Sequence, residues 1–197
     1  MRFAVTSIKT PMRTIVIALV CAWATPMTAQ QGEWTAAVFG GVMTSNAFEE
    51  VFQPNKINFV DSQIAGVILG YELRLPDDRW TLGAEVQVAK HFGLQHHTEI
   101  NLPVVLRYHP KKPWPRPLES VAFGIGGSHA TALPQVEIDN DGATRRNLIY
   151  WLFEVEFATP QPRDTMFLRL HHRSDAFGLL TPSAGSNAVV FGLRRSF

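Results

Sequence analysis

The stretch Thr165–Ser174, read T-M-F-L-R-L-H-H-R-S, decides how this chain folds. Its alternate residues Met166, Leu168 and Leu170 are apolar and run in the same register into His172 and Ser174. The interleaved Phe167, Arg169, His171 and Arg173 make a mostly polar second face. Side chains of a strand alternate between its two faces, so the stretch reads as a strand that is greasy on one side and charged on the other. A base and a hydroxyl stand at one end of the greasy stripe. If that stripe faces lipid, so does the pair, and the chemistry it suggests is on an acyl chain.

The same alternation recurs along the chain. Extended segments are expected at 34–44, 60–74, 80–92, 98–109, 118–128, 148–159, 165–174 and 187–197. Turn signals separate them at Pro76-Asp77-Asp78, Pro110 through Pro117, Pro160-Gln161-Pro162 and Pro182 through Gly185. In the sixth segment Ile149, Trp151, Phe153, Val155 and Phe157 share one face, with Glu154 and Glu156 on the other. In the third, Leu82, Ala84, Val86 and Val88 oppose Glu85 and Gln87. In the fourth, Ile100, Leu102, Val104, Leu106 and Tyr108 oppose Glu99, Asn101 and Arg107.

Collected together, the polar faces set Glu72, Glu85, Glu99, Glu154 and Glu156 against Arg74, Arg107, Arg169, Arg173 and Arg194. An ionised side chain facing lipid at mid-membrane costs about 2–4 kcal/mol. The charges therefore belong inside, in a narrow lumen filled by ion pairs rather than an open pore. Connectors one–two, five–six and seven–eight are long, while two–three, three–four and six–seven are short. The proline-stiffened four–five connector is intermediate. The expected fold is all-β: an eight-stranded antiparallel outer-membrane β-barrel. A soluble lipocalin-like barrel shows the same alternation with its faces reversed. The aromatic Phe197 on the last strand, and Trp34, Trp80, Tyr108 and Trp114 near strand ends, favour the membrane form.

The chain has 197 residues, enough for one domain. A formal net charge of +1 argues against nucleic acid as the main partner. Residues 1–29 read as an export signal that is removed: Arg2, Lys9 and Arg13, then the apolar run Ile15 to Ala24, then small residues around Thr28-Ala29. Met12 offers an alternative start. Residues 30–197 are the barrel domain. The single cysteine, Cys21, lies in the signal, so the mature chain has no thiol chemistry.

With the first strand running outward, His172, Ser174 and Asn187 meet at the outer rim on the lipid side. A neutral histidine can take the serine proton as general base, and a third group can hold the imidazole tautomer. His91, His96 and His97 cluster near the loop after the third segment, but no acidic or thiol ligand is spaced to complete a tetrahedral metal site. The run Gly124-x-Gly126-Gly127 lies inside a strand, where it makes room for neighbours rather than binding phosphate. Arg145, Arg146 and Arg173 are candidates for lipopolysaccharide phosphates, or else ordinary solvated charges.

The stretch His171-His172-Arg173-Ser174-Asp175-Ala176-Phe177-Gly178-Leu179, with Pro182, Gly185, Asn187 and the run to Phe197, resembles the C-terminal hairpin of the outer-membrane lipid A deacylases of the PagL type, also called acyloxyacyl hydrolase-like. Leu102-Pro103-Val104-Val105-Leu106-Arg107-Tyr108 and Phe123-Gly124-Ile125-Gly126 resemble that family's central strands. The resemblance is loose over most of the mature chain and closer over the last thirty residues. It implies a bacterial outer-membrane enzyme that hydrolyses the 3-O-linked acyl ester of lipid A in the outer leaflet. His172 would be the base and Ser174 the nucleophile, with no metal or other cofactor; a homodimer is compatible with it.

Two positions depart from the family pattern. Its acidic triad member falls at Asn187, or at Ser186 if the hairpin gap is placed differently, and the Asn expected after the nucleophile is Asp175. An amide can orient a histidine but cannot stabilise imidazolium by charge. Backbone N–H groups from Asp175 through Ala176 to Gly178 are the oxyanion-hole candidates. A non-catalytic structural barrel that has lost its acid is the alternative.

Overall fold

The computed structural model describes residues 32–197; the expected export signal, with Cys21, lies outside the described residues. Eight strands follow one another: β1 (Gly32–Thr44), β2 (Phe59–Arg74), β3 (Trp80–Gly93), β4 (Thr98–Tyr108), β5 (Leu118–Ala130), β6 (Asn147–Ala158), β7 (Asp164–Ser174) and β8 (Gly185–Ser196). Each pairs antiparallel with the next, and β8 returns to β1 to close the barrel. Every observed strand end lies within two residues of the expected one. The strands are legible because outward aliphatics and aromatics alternate with inward residues that are charged at points on β3, β4, β6, β7 and β8 and mostly small, polar or apolar elsewhere.

The faces are sorted as the alternation requires. Outward residues such as Val67, Leu102, Val104, Ile125, Leu168 and Phe191 are exposed. Their inward neighbours are buried. At the end holding the β2–β3 turn, aromatics pair across strands: Trp34 with Tyr71 at 5.0 Å and Trp80 with Tyr108 at 4.8 Å between ring centroids. Among the described residues no helix is long and apolar enough to cross a membrane.

The lumen is filled in two storeys. In the lower, Arg107, Arg169 and Arg194 interleave with Glu85, Glu154 and Glu156. Glu154 takes Arg107 at 2.8 Å, Arg169 at 2.6 Å and Arg194 at 2.8 Å, with Arg194 also against Glu156. Phe167 lies beneath the guanidinium groups of Arg169 and Arg194, at 5.2 and 5.0 Å. Such buried charges tolerate one another only because each acid meets more than one guanidinium. The upper storey, toward the long loops, holds Glu99, His91, His171, Arg173 and Tyr150, together with an apolar cluster that includes Phe39, Met43, Ile64 and Val190.

Small residues on β5 set the barrel's inner clearance. A Cβ on Gly126 would fall 2.0 Å from the carbonyl oxygen of Leu102, and one on Gly124 would meet Leu152 and Val105 at 3.0 Å. This agrees with the space-making reading of the glycine run.

The long connectors carry structure that the periodicity did not reveal. The β1–β2 connector contains short 3-10 turns at Phe48–Glu50 and Pro54–Lys56. The β5–β6 connector contains a helix, α1 (Gln135–Asp141), bounded by Pro134 and by Gly142 in the left-handed conformation. Its Val136 joins the apolar cluster, and its Glu137 takes Arg173 Nε at 2.9 Å and the Ser186 hydroxyl at 2.9 Å. The helix thus caps the upper storey.

Candidate functional site

Strand register brings the three expected site residues into one neighbourhood. His172 stands opposite Asn187 on β8 and opposite Trp151 on β6, while Ser174 stands opposite Gly185. All three project outward, as parity on β7 and β8 requires, yet His172 is only 5% exposed and Asn187 3%. Outward residues elsewhere on β7, such as Leu168, are open. The cover comes from the β1–β2 connector, which crosses the outer wall. Phe48 packs on Trp151 at 4.3 Å and on His172 at 4.8 Å, and Trp151 meets the imidazole edge-on at 4.6 Å.

The hydrogen bonds around Asn187 determine the protonation of the histidine. Asn187 Nδ2 donates to the main-chain oxygen of Asn46 at 2.9 Å, so its other end, Oδ1, is what faces His172. Oδ1 lies 2.6 Å from His172 Nδ1. An oxygen at that distance needs a donor, so the proton sits on Nδ1. In the neutral ring this leaves a lone pair on Nε2, the form a general base requires. Asn46 is itself held, accepting from Asn58 N–H at 2.6 Å and donating to Lys56 O at 2.9 Å. The loop that shields the imidazole therefore also sets its tautomer.

His172, Ser174 and Asn187 line one cavity of about 380 Å³, with Asn46, Phe48, Glu49, Trp151 and Phe177 among its other walls. Ser174 Oγ accepts the Ala176 N–H at 2.9 Å; among the described residues it makes no hydrogen bond to His172. Hydrogen bonds of this kind commonly tighten only when substrate is bound. After Ser174 the chain holds three consecutive residues in the left-handed region, Ala176 at φ 56°, Phe177 at 58° and Gly178 at 85°. For the two non-glycine residues that conformation costs about 1–2 kcal/mol each. The turn aims the Ala176 N–H at the serine and leaves Phe177 92% exposed at the tip.

The structure corrects three expectations. Asp175 is not free to serve as an oxyanion donor, because its N–H is engaged by Ala184 O at 3.0 Å, and its carboxylate accepts the Ser183 hydroxyl. Arg173 does not reach the surface. It points into the lumen, 1% exposed, between Glu137 and Ser128. An acid does stand near the loop histidines: Glu99, two residues beyond His97, gathers with His91 and His97, while His96 stays outside and exposed.

Sequence reasoning missed Asn46, Phe48 and Trp151 as parts of the site. Trp151 was recoverable, since it shares the outward face of β6 at the level of His172. Phe48 and Asn46 lie in a connector with no periodicity, and nothing local marks them.

No family model and no curated protein matches the chain. Among solved structures, the outer membrane enzyme PagL is similar with a TM-score of 0.53 at 11% identity, covering 82% of this chain and 98% of that one. Neisserial surface protein A (NspA) is similar with a TM-score of 0.52 at 10% identity, covering 85% and 99%. At such identities the likeness is one of fold: the chain has the eight-stranded barrel architecture of outer-membrane proteins.

Proposed function

We propose that this protein is a bacterial outer-membrane esterase that removes an O-linked acyl chain from lipid A, the 3-O chain by family resemblance. The observation that carries the reading is the His172–Asn187 pair, 2.6 Å apart with its amide pinned by Asn46, in the same outward-facing cavity as Ser174. In the reaction the Ser174 oxygen attacks the ester carbonyl carbon while its proton passes to His172 Nε2. The tetrahedral intermediate collapses, and the departing sugar hydroxyl takes that proton. Water, deprotonated by His172, then cleaves the acyl-serine and releases a fatty acid. The Ala176 N–H, which donates to Ser174 Oγ, stands beside the attacking oxygen and would turn to the developing oxyanion as Oγ becomes an ester oxygen.

The surroundings suit a lipid substrate. Beside the polar cavity runs an apolar cleft of about 120 Å³ lined by Phe48, Phe52, Phe123, Trp151, Phe153 and Leu170, and His172 belongs to both. An acyl chain lying there would present its ester at the polar cavity. The exposed Phe177 and Leu179 beside Ser174 would sit among outer-leaflet chains, and Arg146 stands free in a loop for headgroup phosphates.

Mass spectrometry of lipid A from cells with and without the protein tests this. The expected result is loss of one O-linked acyl chain, abolished by Ser174→Ala. Full acylation in both strains, with the barrel shown to be folded in the outer membrane, would favour a structural barrel instead.

A further inference from the structure

We propose that His91, His97 and Glu99 form a binding site for one divalent transition-metal ion of the zinc class, inside the upper end of the lumen. The three side chains come from one hairpin: His91 from the end of β3, His97 from the connector, Glu99 from the start of β4. The His91 N–H bonded to His97 O at 3.0 Å holds the hairpin closed. All three are buried, and their candidate ligand atoms lie within 4.8 Å of one another. Two histidines, a carboxylate and a water make a recognised zinc ligand set.

The second observation is His97 itself. Its ring is 4% exposed and stacked on His91 at 4.1 Å between centroids, yet neither ring nitrogen has a partner among the described residues. A buried polar group left unbonded is costly. A neutral imidazole carries one lone pair in the plane of its ring. A metal ion would give that lone pair its partner.

The remaining groups are already arranged around such an ion. His91 Nε2 and Glu99 Oε2 are 3.0 Å apart, close to the separation of about 3.3 Å between two ligand atoms of a tetrahedral zinc ion. The other carboxylate oxygen of Glu99 meets His171 Nε2 at 2.8 Å, and His171 Nδ1 meets the Tyr150 hydroxyl at 3.2 Å. Ligating carboxylates are usually oriented by such outer partners. The local charge also favours a cation, because among the described residues Arg173 is the one arginine paired with Glu99, at 3.8 Å, and it is shared with Glu137 at 2.9 Å.

One rearrangement is required. Gln95 Nε2 now sits 2.9 Å from His91 Nδ1, with Gln95 Oε1 accepting the Val136 N–H at 3.2 Å, which leaves the His91 proton on Nε2. Coordination through Nε2 moves that proton to Nδ1, and the Gln95 amide turns to accept it. A Gln95→Glu side chain could accept from both His91 and Val136 without turning.

The test is a titration of the folded barrel in detergent with Co²⁺, read by its visible absorption, followed by competition with Zn²⁺ and by equilibrium dialysis. One ion per barrel is expected. His97→Ala, which breaks no hydrogen bond, should weaken binding at least 100-fold with unchanged heat-modifiable migration. His96→Ala should bind as the parent does, and Gln95→Glu should bind roughly tenfold tighter. Absence of stoichiometric binding, binding that survives His97→Ala, or binding lost with His96→Ala would overturn the proposal.

Discussion

His171 and His172 are neighbours in the chain and leave one strand in opposite directions. The inward members of β7 reach across the lumen as well as to the adjacent β6: Arg169 meets Glu85 on β3 and Glu154 on β6, and His171 meets Glu99 on β4 and Tyr150 on β6. Each of these polar groups is answered by another wall of the barrel. The outward members are answered by loops and by the two adjacent strands, with nothing from across the lumen. His172 depends on Asn187 across one ladder and on Phe48 from a connector, and Ser174 on the turn that follows it. The inner face therefore specifies which strands close on which. The outer face carries the reactive groups, and its environment is built by segments that the barrel does not need in order to close.

The largest expected effect lies on the outer face. Ser174→Ala should reduce acyl release by at least about 10³-fold, to what binding and oxyanion donors alone supply. The barrel should be unaffected, since among the described residues the Ser174 side chain bonds only to the Ala176 N–H of its own turn. Deacylation measured on purified lipid A, alongside urea unfolding, checks both halves. A matching loss of stability would mean that the outer face is structural after all.

Next is the inner face. Glu154→Ala removes the acid that Arg107, Arg169 and Arg194 share and leaves buried guanidinium groups short of a partner. Breaking such a buried network costs about 3–5 kcal/mol. The urea midpoint should fall accordingly, or the folded band on gels should be lost. Leu168→Arg puts the same charge on the opposite side of β7, where the side chain is exposed at mid-strand. In a bilayer this should cost about 2–4 kcal/mol. If the variant were neutral in lipid vesicles, the outward face would not be the lipid face.

These differences explain what the sequence could and could not convey. The inner face was legible where glutamates and arginines, as Glu85, Arg107, Glu154, Glu156, Arg169 and Arg173, contrast with Leu, Val and Phe on the other parity. That contrast fixed strand ends to within two residues and assigned His172, Ser174 and Asn187 to one side. Helix α1 was not legible, since seven residues between Pro134 and Gly142 give too few turns for a 3.6 period to emerge. Asn46 and Phe48 escaped for a different reason. Their roles exist only once β8 has closed on β1 and the connector has been carried across β8 to β7. The pairing of Glu99 with two histidines was hidden by a short hairpin that folds His91 back beside His97.

The smallest effect discriminates most sharply between two histories of the site. If Asn187 were simply an acid that had been lost, Asn187→Asp would restore charge beside His172 and raise the rate. The geometry argues otherwise. Asn187 Nδ2 donates to Asn46 O at 2.9 Å, and an aspartate there would set an anionic oxygen against a carbonyl oxygen. Losing that bond and creating the repulsion costs about 1–3 kcal/mol, only partly offset by stabilising imidazolium. Activity should therefore fall roughly tenfold. Asn187→Ala, which releases the imidazole altogether, should fall further while leaving the barrel intact. A rate that rises with the aspartate would show that Asn46 yields and that the pocket was shaped for an acid; a fall would mark it as shaped around an amide that holds one tautomer of His172.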